Sequence, residues 1–443
     1  MVSESLLIQE QSKTIMFRLL RCLVDPVLVL CLIAVLPGIP PYEKLTSYKL
    51  PRPFSASGHL SRNNLLASAQ NLFVGEIHGP ESVVEVEDPK HGVSEVYTGI
   101  QGGAILKIVD GGRKYEVVAR TGHCEYKWDA KNCGRPLGLR SDGQGNILIA
   151  DAYKGILRLD PKSGELVTLV NSSEPIEGRP PALPNSVEMA SDGVIYWTDS
   201  SIYPLHAGAM ALFGQATGRL IRYNPATGEN NVLMEDLHFA NGIQLSPHED
   251  FVVVAECFRH RLTRYWLKGP KGGTREVFAN VPGSPDNLKL SPSGNILAGI
   301  VVPRFSEYPW YLDFETLTNN AWLRLIGIRP FALTRMILEM GAEYLPPPLN
   351  TFPLWMSYHI LSMEPLSLMF GWYGLIVEID WEGDIIKSWH NPSGTTPGLS
   401  EAYFSKDGAM WLASPWNEFL SRIPPKGPMV LLRSEGDVTF DLL

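Results

Sequence analysis

Five of six matched stretches in this 443-residue chain carry an oxygen-bearing side chain at the same point. They are Glu81 in GPESVV, Asn185 in PNSVE, Asn241 in ANGIQL, Asp286 with Asn287 in PDNLKL, and Glu401 in SEAYF; the sixth, RPLGL, has Leu137 there. Each precedes an alternating apolar run, although Asp and Asn are poor strand residues. Carboxylates and carboxamides are hard oxygen donors, and no imidazole or thiol occupies a matched position. Brought to one axis, such groups are costly to bury without a counterion. A cation taking about 6–8 oxygens resolves the cost, which points to Ca²⁺ before Mg²⁺ or Zn²⁺. The candidate ligands are Glu81, Asn185, Asn241 and Asp286, with Asn287 ligating or supporting. A lone Asn at a strand start is ordinarily a turn cap; matched positions within one repeat phase argue for a shared site.

An ion of this kind can polarise an ester or lactone carbonyl and stabilise the developing oxyanion. The candidate base is Asp286 or a histidine near a strand end, namely His78, His123, His206 or His238. The competing reading is a structural ion in a non-catalytic propeller whose surface binds a partner.

The elements that must position these residues follow from an internal repeat. A strand, tight turn and second strand recur in PLGLRSDGQGNILIAD, PNSVEMASDGVIYWTD, ANGIQLSPHEDFVVVAE, PDNLKLSPSGNILAGI and LSEAYFSKDGAMWLAS. The turns SDG, SDG, PHED, PSG and KDG supply the backbone freedom of hairpins. A third-strand phrase follows, as in GAILKIVD, GILRLDP, GRLIRYNP and GLIVEID. With a first unit around GPESVVEV, the count predicts an all-β fold, a six-bladed β-propeller. First strands of blades line the central channel, which explains polar residues at their starts. A β-sandwich would show no common period.

Composition agrees: 44% hydrophobic and 19% charged, with 40 Gly and 35 Pro, suits many short strands and turns. A net charge of −9 argues against nucleic-acid binding. Near the start, LVDPVLVLCLIAVL (Leu23 to Leu36) follows Lys13, Arg18 and Arg21. The run is short for a span and must borrow Ile15 to Leu20 or lie in the interface. PGIPPY follows in place of a small-residue cleavage site, which favours an uncleaved signal anchor over a cleaved signal. Residues 1–41 are then a cytoplasmic tail and anchor, and 42–443 a lumenal or extracellular ectodomain, in the endoplasmic reticulum or plasma membrane. Cys124 and Cys133 flank a short polar loop that a disulfide could close in that compartment. Asn171 heads the only N-glycosylation triplet, Asn171-Ser172-Ser173.

The period breaks in the fifth blade at an insertion of about 304–372. Leu323, Ile326, Leu333, Met336 and Ile337 suit helical stripes either side of Pro330. The insertion is read either as a cover on one face or as an interfacial segment or lid, since Arg324, Arg329 and Arg335 accompany the apolar residues.

The chain also resembles the strictosidine synthase-like family, in its membrane-associated branch. The matching pieces are GPESV, CGRPLGLR, ADAYKGI, SSEPIEG, YWTDSS, ANGIQLSP, EDFVVVAE and PDNLKLSPSG, in order from about residue 72 to the C-terminus. The resemblance implies a six-bladed propeller, type II membrane topology, and kinship with calcium-dependent paraoxonases and regucalcin-type lactonases. It implies calcium ligation by residues matching Glu81, Asn185, Asn241 and Asp286, with Asn287 following, and pairing of Cys124 with Cys133. Glu401 falls where strictosidine synthase carries the Glu that handles its amine, which makes it a candidate catalytic residue and keeps a lyase in view. Two departures stand out: Ser186 replaces an Asp common in relatives, and the insertion is long for the family.

Overall fold

A computed structural model describes residues 21–22, 24–87, 92, 94–126, 129, 132–307, 314–364 and 372–425. Its strands form six four-stranded antiparallel sheets. The first strands are Val83–Glu87, Pro136–Ser141, Pro184–Met189, Ala240–Leu245, Gly283–Leu290 and Glu401–Phe404. Each contacts the first strand of the next sheet, and the sixth contacts the first, so the ring closes as a six-bladed propeller.

Apolar alternation places the core between blades. Val84, Tyr97 and Ile105 of the first sheet bury against Leu139, Ile147 and Leu157 of the second. Equivalent clusters join each later pair, and Trp411 and Leu420 pack against Val83 and Leu106 to join the last sheet to the first. The sixth sheet is completed by an N-terminal strand: Gln70–Leu72 pairs with Leu420–Ile423. This closure has no counterpart in the repeat phrases, because a three-residue strand carries too little pattern to read. The hairpin turns behave as their sequences require, except that PHED has no glycine and places Glu249 at φ 52°.

The fifth sheet is interrupted between hydrogen-bonded neighbours, Ile296–Pro303 and Gly374–Ile379. Among the described residues five helices can be named in chain order: α1 over residues 24–35, α2 Gly208–Phe213, α3 Phe314–Asn319, α4 Ala321–Glu343 and α5 Thr351–Leu361. The last three fill the interruption. Asn320 caps α4 by accepting from the Trp322 and Leu323 amides. α4 runs through Pro330 as one helix.

The stripe residues read from the sequence divide between two faces, with Leu333 packed inward beside Ile328 and Ala332. α4 buries Arg324, Ile328 and Ala332, spaced four apart, and leaves Leu323 and Ile337 exposed. The three arginines also turn inward and donate to backbone carbonyls. Guanidinium groups pin this helix down, a job that periodicity assigns to apolar side chains.

Among the described residues no helix is long and apolar enough to cross a membrane. Lys13, Arg18 and Ile15 to Leu20 lie outside the described residues. Cys124 and Cys133 are bonded, and Cys22, Cys31 and Cys257 are free thiols. Asn171 is exposed at the end of Glu165–Asn171.

Candidate functional site

The polar strand starts become intelligible in the sheet registers. Pairing between first and second strands slips in the third, fourth and fifth blades between Pro184 and Val187, Ala240 and Ile243, and Pro285 and Leu288. Asn185, Asn241 and the Asp286-Asn287 pair therefore stand within β-bulges, which re-aim side chains and release the ladder. Hydroxyls take over the bonding. Thr198 donates to the Asn241 carbonyl at 2.8 Å and accepts from the Ser186 amide at 3.0 Å, while Ser200 donates to the Ala240 carbonyl at 2.6 Å.

Close approach of blades here depends on glycine. A Cβ on Gly242 would lie 2.4 Å from the Asp286 carbonyl oxygen and 2.5 Å from the Leu288 nitrogen. The glycine following Asn241 thus lets the fourth and fifth first strands meet, bringing their oxygen donors to one place.

Glu81, Asn185, Asn241 and Asp286 line one cavity of about 110 Å³. All four are buried. The Oδ1 atoms of Asn185, Asn241 and Asp286 accept no hydrogen bond, an uncommon state for buried oxygens. Burial, opposed by Arg135 and reinforced by Glu401, raises the Glu81 carboxyl to about pKa 7. Burial pushes Asp286 well above the usual carboxylate range, and Glu81 adds to the rise. Two crowded carboxylates and two carboxamides, three with unsatisfied oxygens, are the donor set a hard divalent cation fits. Among the described residues no three His, Cys, Asp or Glu side chains cluster at metal-binding spacing. Any ion here would depend on the carboxamides.

Asn287 points elsewhere: its amide donates to the Glu81 carbonyl at 3.2 Å, bracing that ligand. Glu401 is outside the cavity wall. It accepts from the Val83 amide at 2.7 Å and the Ser82 hydroxyl at 2.8 Å, and lies 3.7 Å from the Lys289 ammonium. Burial brings Lys289 down to about pKa 8. Arg140 and Glu188 pair at 3.1 Å further along the first strands.

None of the four candidate histidines lines the cavity. His123 borders a surface hollow beside the disulfide, and His78 lies 3.8 Å from Glu418. His206 is lowered to about pKa 4 by burial, then by Arg335. His238 is packed between Tyr48 and Phe258, ring centroids 4.4 and 6.2 Å away, and burial lowers it to about pKa 3. Its neutral form contributes stability that is present above pH 6.5 and lost as pH falls toward 3. His238→Phe is expected to flatten the decline of the urea midpoint across that window relative to the parent chain. Parallel declines would show that His238 titrates normally.

Several residues of the site went unread in the sequence. Arg135, in CGRPLGLR, lies under the ring and donates to Glu81 at 3.0 Å, to the Gly79 carbonyl at 2.6 Å and to the Pro415 carbonyl at 3.1 Å. Gly79 makes room for it: a Cβ there would lie 2.8 Å from the guanidinium, and its φ is +60°. Phe239, Phe258, Met363 and Trp416 add apolar walls, and the Cys257 thiol donates to the Pro285 carbonyl at 2.6 Å. Tyr358 and Glu364 come from α5 and the residues after it; Gln101 donates to Glu364 at 3.0 Å and ties this roof to the first blade. The signal for Arg135 was a cation beside an expected anionic ring. The roof, separated by over fifty residues from Asp286, left no local signal.

Known proteins are similar to this chain. Residues 185–270 match the strictosidine synthase family and residues 58–108 the strictosidine synthase-like N-terminal family. The adipocyte plasma membrane-associated protein Hemomucin of Drosophila melanogaster is 34% identical over 413 residues, 91% of this chain and 69% of its own. The adipocyte plasma membrane-associated protein of Gallus gallus is 35% identical over 381 residues, 84% of this chain and 82% of its own. Among solved structures, a gluconolactonase from Xanthomonas campestris aligns over 87% of this chain and 98% of its own, with TM-score 0.49 and 14% identity. Regucalcin, a calcium-binding protein from Agrobacterium tumefaciens, aligns over 82% and 93%, with TM-score 0.45 and 14% identity. With the sequence identity to the first two sustained across most of both chains, this protein belongs to the adipocyte plasma membrane-associated protein family of strictosidine synthase-like proteins.

Proposed function

We propose that the chain is a membrane-tethered, calcium-dependent hydrolase of small esters or lactones, of arylesterase or lactonase type. Residues 1–41 are its tail and signal anchor, and residues 42–443 its lumenal or extracellular propeller. The observation that carries the reading is the trio of buried oxygens without partners, on Asn185, Asn241 and Asp286, facing a cavity with apolar walls.

Those three residues and Glu81 would hold Ca²⁺, with Asn287 bracing Glu81 from behind. The bound ion supplies Lewis-acid polarisation of a carbonyl. Phe239, Phe258, Met363 and Trp416 receive the apolar part of the substrate and exclude bulk water. Asp286 would accept a proton from the attacking water through a carboxylate oxygen that is not committed to the ion. No histidine takes that role, since none among the described residues lines the cavity. Glu401 is committed to Ser82, Val83 and Lys289, which leaves no free carboxylate there for the amine of a condensing lyase.

A second reading, a structural calcium in a partner-binding propeller, draws on Arg135, whose guanidinium already partly neutralises the ring. Calorimetric calcium titration beside phenyl acetate hydrolysis, with and without chelator, separates the two. Binding with chelator-sensitive turnover is the expected result. Binding without turnover on esters or lactones favours the second reading, and no binding overturns both.

A further inference from the structure

The insertion leaves part of its apolar surface facing away from the protein. At 100° per residue, Leu323, Ile326, Pro330, Ile337 and Met340 of α4 lie opposite the buried Arg324, Ile328 and Ala332, and this outer arc, of which Leu333 alone packs inward, carries no charged side chain. Ile337 is 56% exposed and Met340 54%. The next helix repeats the pattern. Phe352 and Trp355 of α5 are 65% and 42% exposed and stack on each other at 6.1 Å, while Tyr358 on its inner side roofs the cavity.

The charges that would ordinarily decorate a surface helix are used inward. Arg324 donates to the Gly214 carbonyl at 2.6 Å and also to that of Thr46. Arg335 donates to the His206 carbonyl at 3.0 Å and to Glu339 at 2.7 Å. Arg329 joins the insertion to the N-terminal segment, donating to the Ala34 carbonyl at 2.7 Å and to that of Pro41 at 3.1 Å. Ile33 and Ile39 pack against the cluster of Ile328, Ala332 and Leu361. α1, with Val27, Leu28 and Leu32 exposed, is thus fixed to the same platform.

We propose that the outer face of α4 and α5, continuous with α1, lies in the headgroup layer of a lipid bilayer and sets the roof of the cavity at the membrane surface. Three features select lipid as the occupant. The face is aliphatic and aromatic and offers nothing for a charged partner to pair with. It continues into the apolar N-terminal segment, whose preceding residues include further apolar chain. Its aromatic residues suit the boundary between headgroups and acyl chains. This is a different role for the insertion from the cationic interfacial stripe that Arg324, Arg329 and Arg335 suggest in the sequence. The arginines anchor the platform, and the apolar residues meet the lipid. The cavity would then draw on compounds that partition into membranes.

The full chain, reconstituted in phosphatidylcholine vesicles, is to be labelled with a membrane-confined carbene photoreagent and mapped by mass spectrometry. The expected result is label on Ile337, Met340, Phe352 and Trp355 as well as on residues 24–35. The triple variant Ile337→Asp, Phe352→Asp, Trp355→Asp should lose labelling of α4 and α5 by about tenfold while keeping it on α1. Label confined to α1, or unchanged in the triple variant, overturns the proposal. If the variant does not fold, the map of the parent chain decides alone. Sedimentation in detergent tests the other occupant: a dimer that the variant disperses assigns the face to a second copy of the chain and likewise overturns it. None of these readouts requires hydrolysis, so the result stands apart from the catalytic reading.

Discussion

Asp286→Asn is expected to abolish calcium binding and, in chelated protein, to raise thermal stability at neutral pH. The two effects share one cause. Asp286 is buried beside Glu81 and its Oδ1 has no hydrogen bond. Its folded pKa lies above its unfolded value, so without an ion its stabilising contribution is present below the unfolded pKa and lost as pH rises through the folded one. Asn keeps the shape and removes the charge that causes the loss. With calcium present the order reverses: the parent chain gains stability with ligand concentration and the variant gains none. Asn241→Ala should weaken binding by ~100-fold or more, as loss of a direct oxygen ligand, without the gain in chelated protein. Paired melting curves with calcium and with chelator read each chain in both states. Equal calcium-induced shifts in parent and Asp286→Asn chains would show that the ring is a set of strand caps, and the hydrolase reading would fall with it.

The propeller was legible because its evidence is local and repeated. Each SDG or PSG turn lies between two alternating runs, and recurrence fixes the phase in which Glu81, Asn185, Asn241 and Asp286 match. What was not legible depends on neighbours distant in sequence. The bulges that aim Asn241 and Asp286 arise where adjacent blades crowd at Gly242, a contact that no single strand announces. Glu401 reads as equivalent to the other strand starts, yet it bonds Ser82 and Val83, more than 300 residues earlier, and so leaves the cavity. The orientation of α4 was not legible for a related reason. Periodicity shows that a helix carries an apolar stripe but not what covers it, and here arginines that find carbonyls beneath the helix share its inner side with Ile328, Ala332 and Leu333.

Arg135→Met is expected to cost both stability and calcium affinity, and the pairing of these losses shows how the ring is held charged. Arg135 is 5% exposed, its guanidinium lies 3.0 Å from Glu81, and it is itself held by the Gly79 and Pro415 carbonyls. Removing it leaves a buried carboxylate without its partner, a change that costs ~3–5 kcal/mol in comparable pairs. Glu81 stands at about pKa 7 with Arg135 pulling it down. Without Arg135 it moves higher, holds its proton at neutral pH and ceases to be an anionic ligand. Affinity at pH 7 should then fall about tenfold or more and recover as pH is raised, because a carboxyl that titrates one pH unit above its surroundings keeps only about a tenth of its ionised form. Arg135→Lys keeps a charge but loses the fork that spans Glu81 and two carbonyls, so it should fall between the two. Gly79→Ala should mimic Arg135→Met, since its Cβ would displace the guanidinium. The opposite outcome is equally readable by calorimetry. Tighter calcium binding in Arg135→Met would mean that the arginine competes with the ion for Glu81, and that the parent chain uses a tethered cation where its site was read as using a dissolved one.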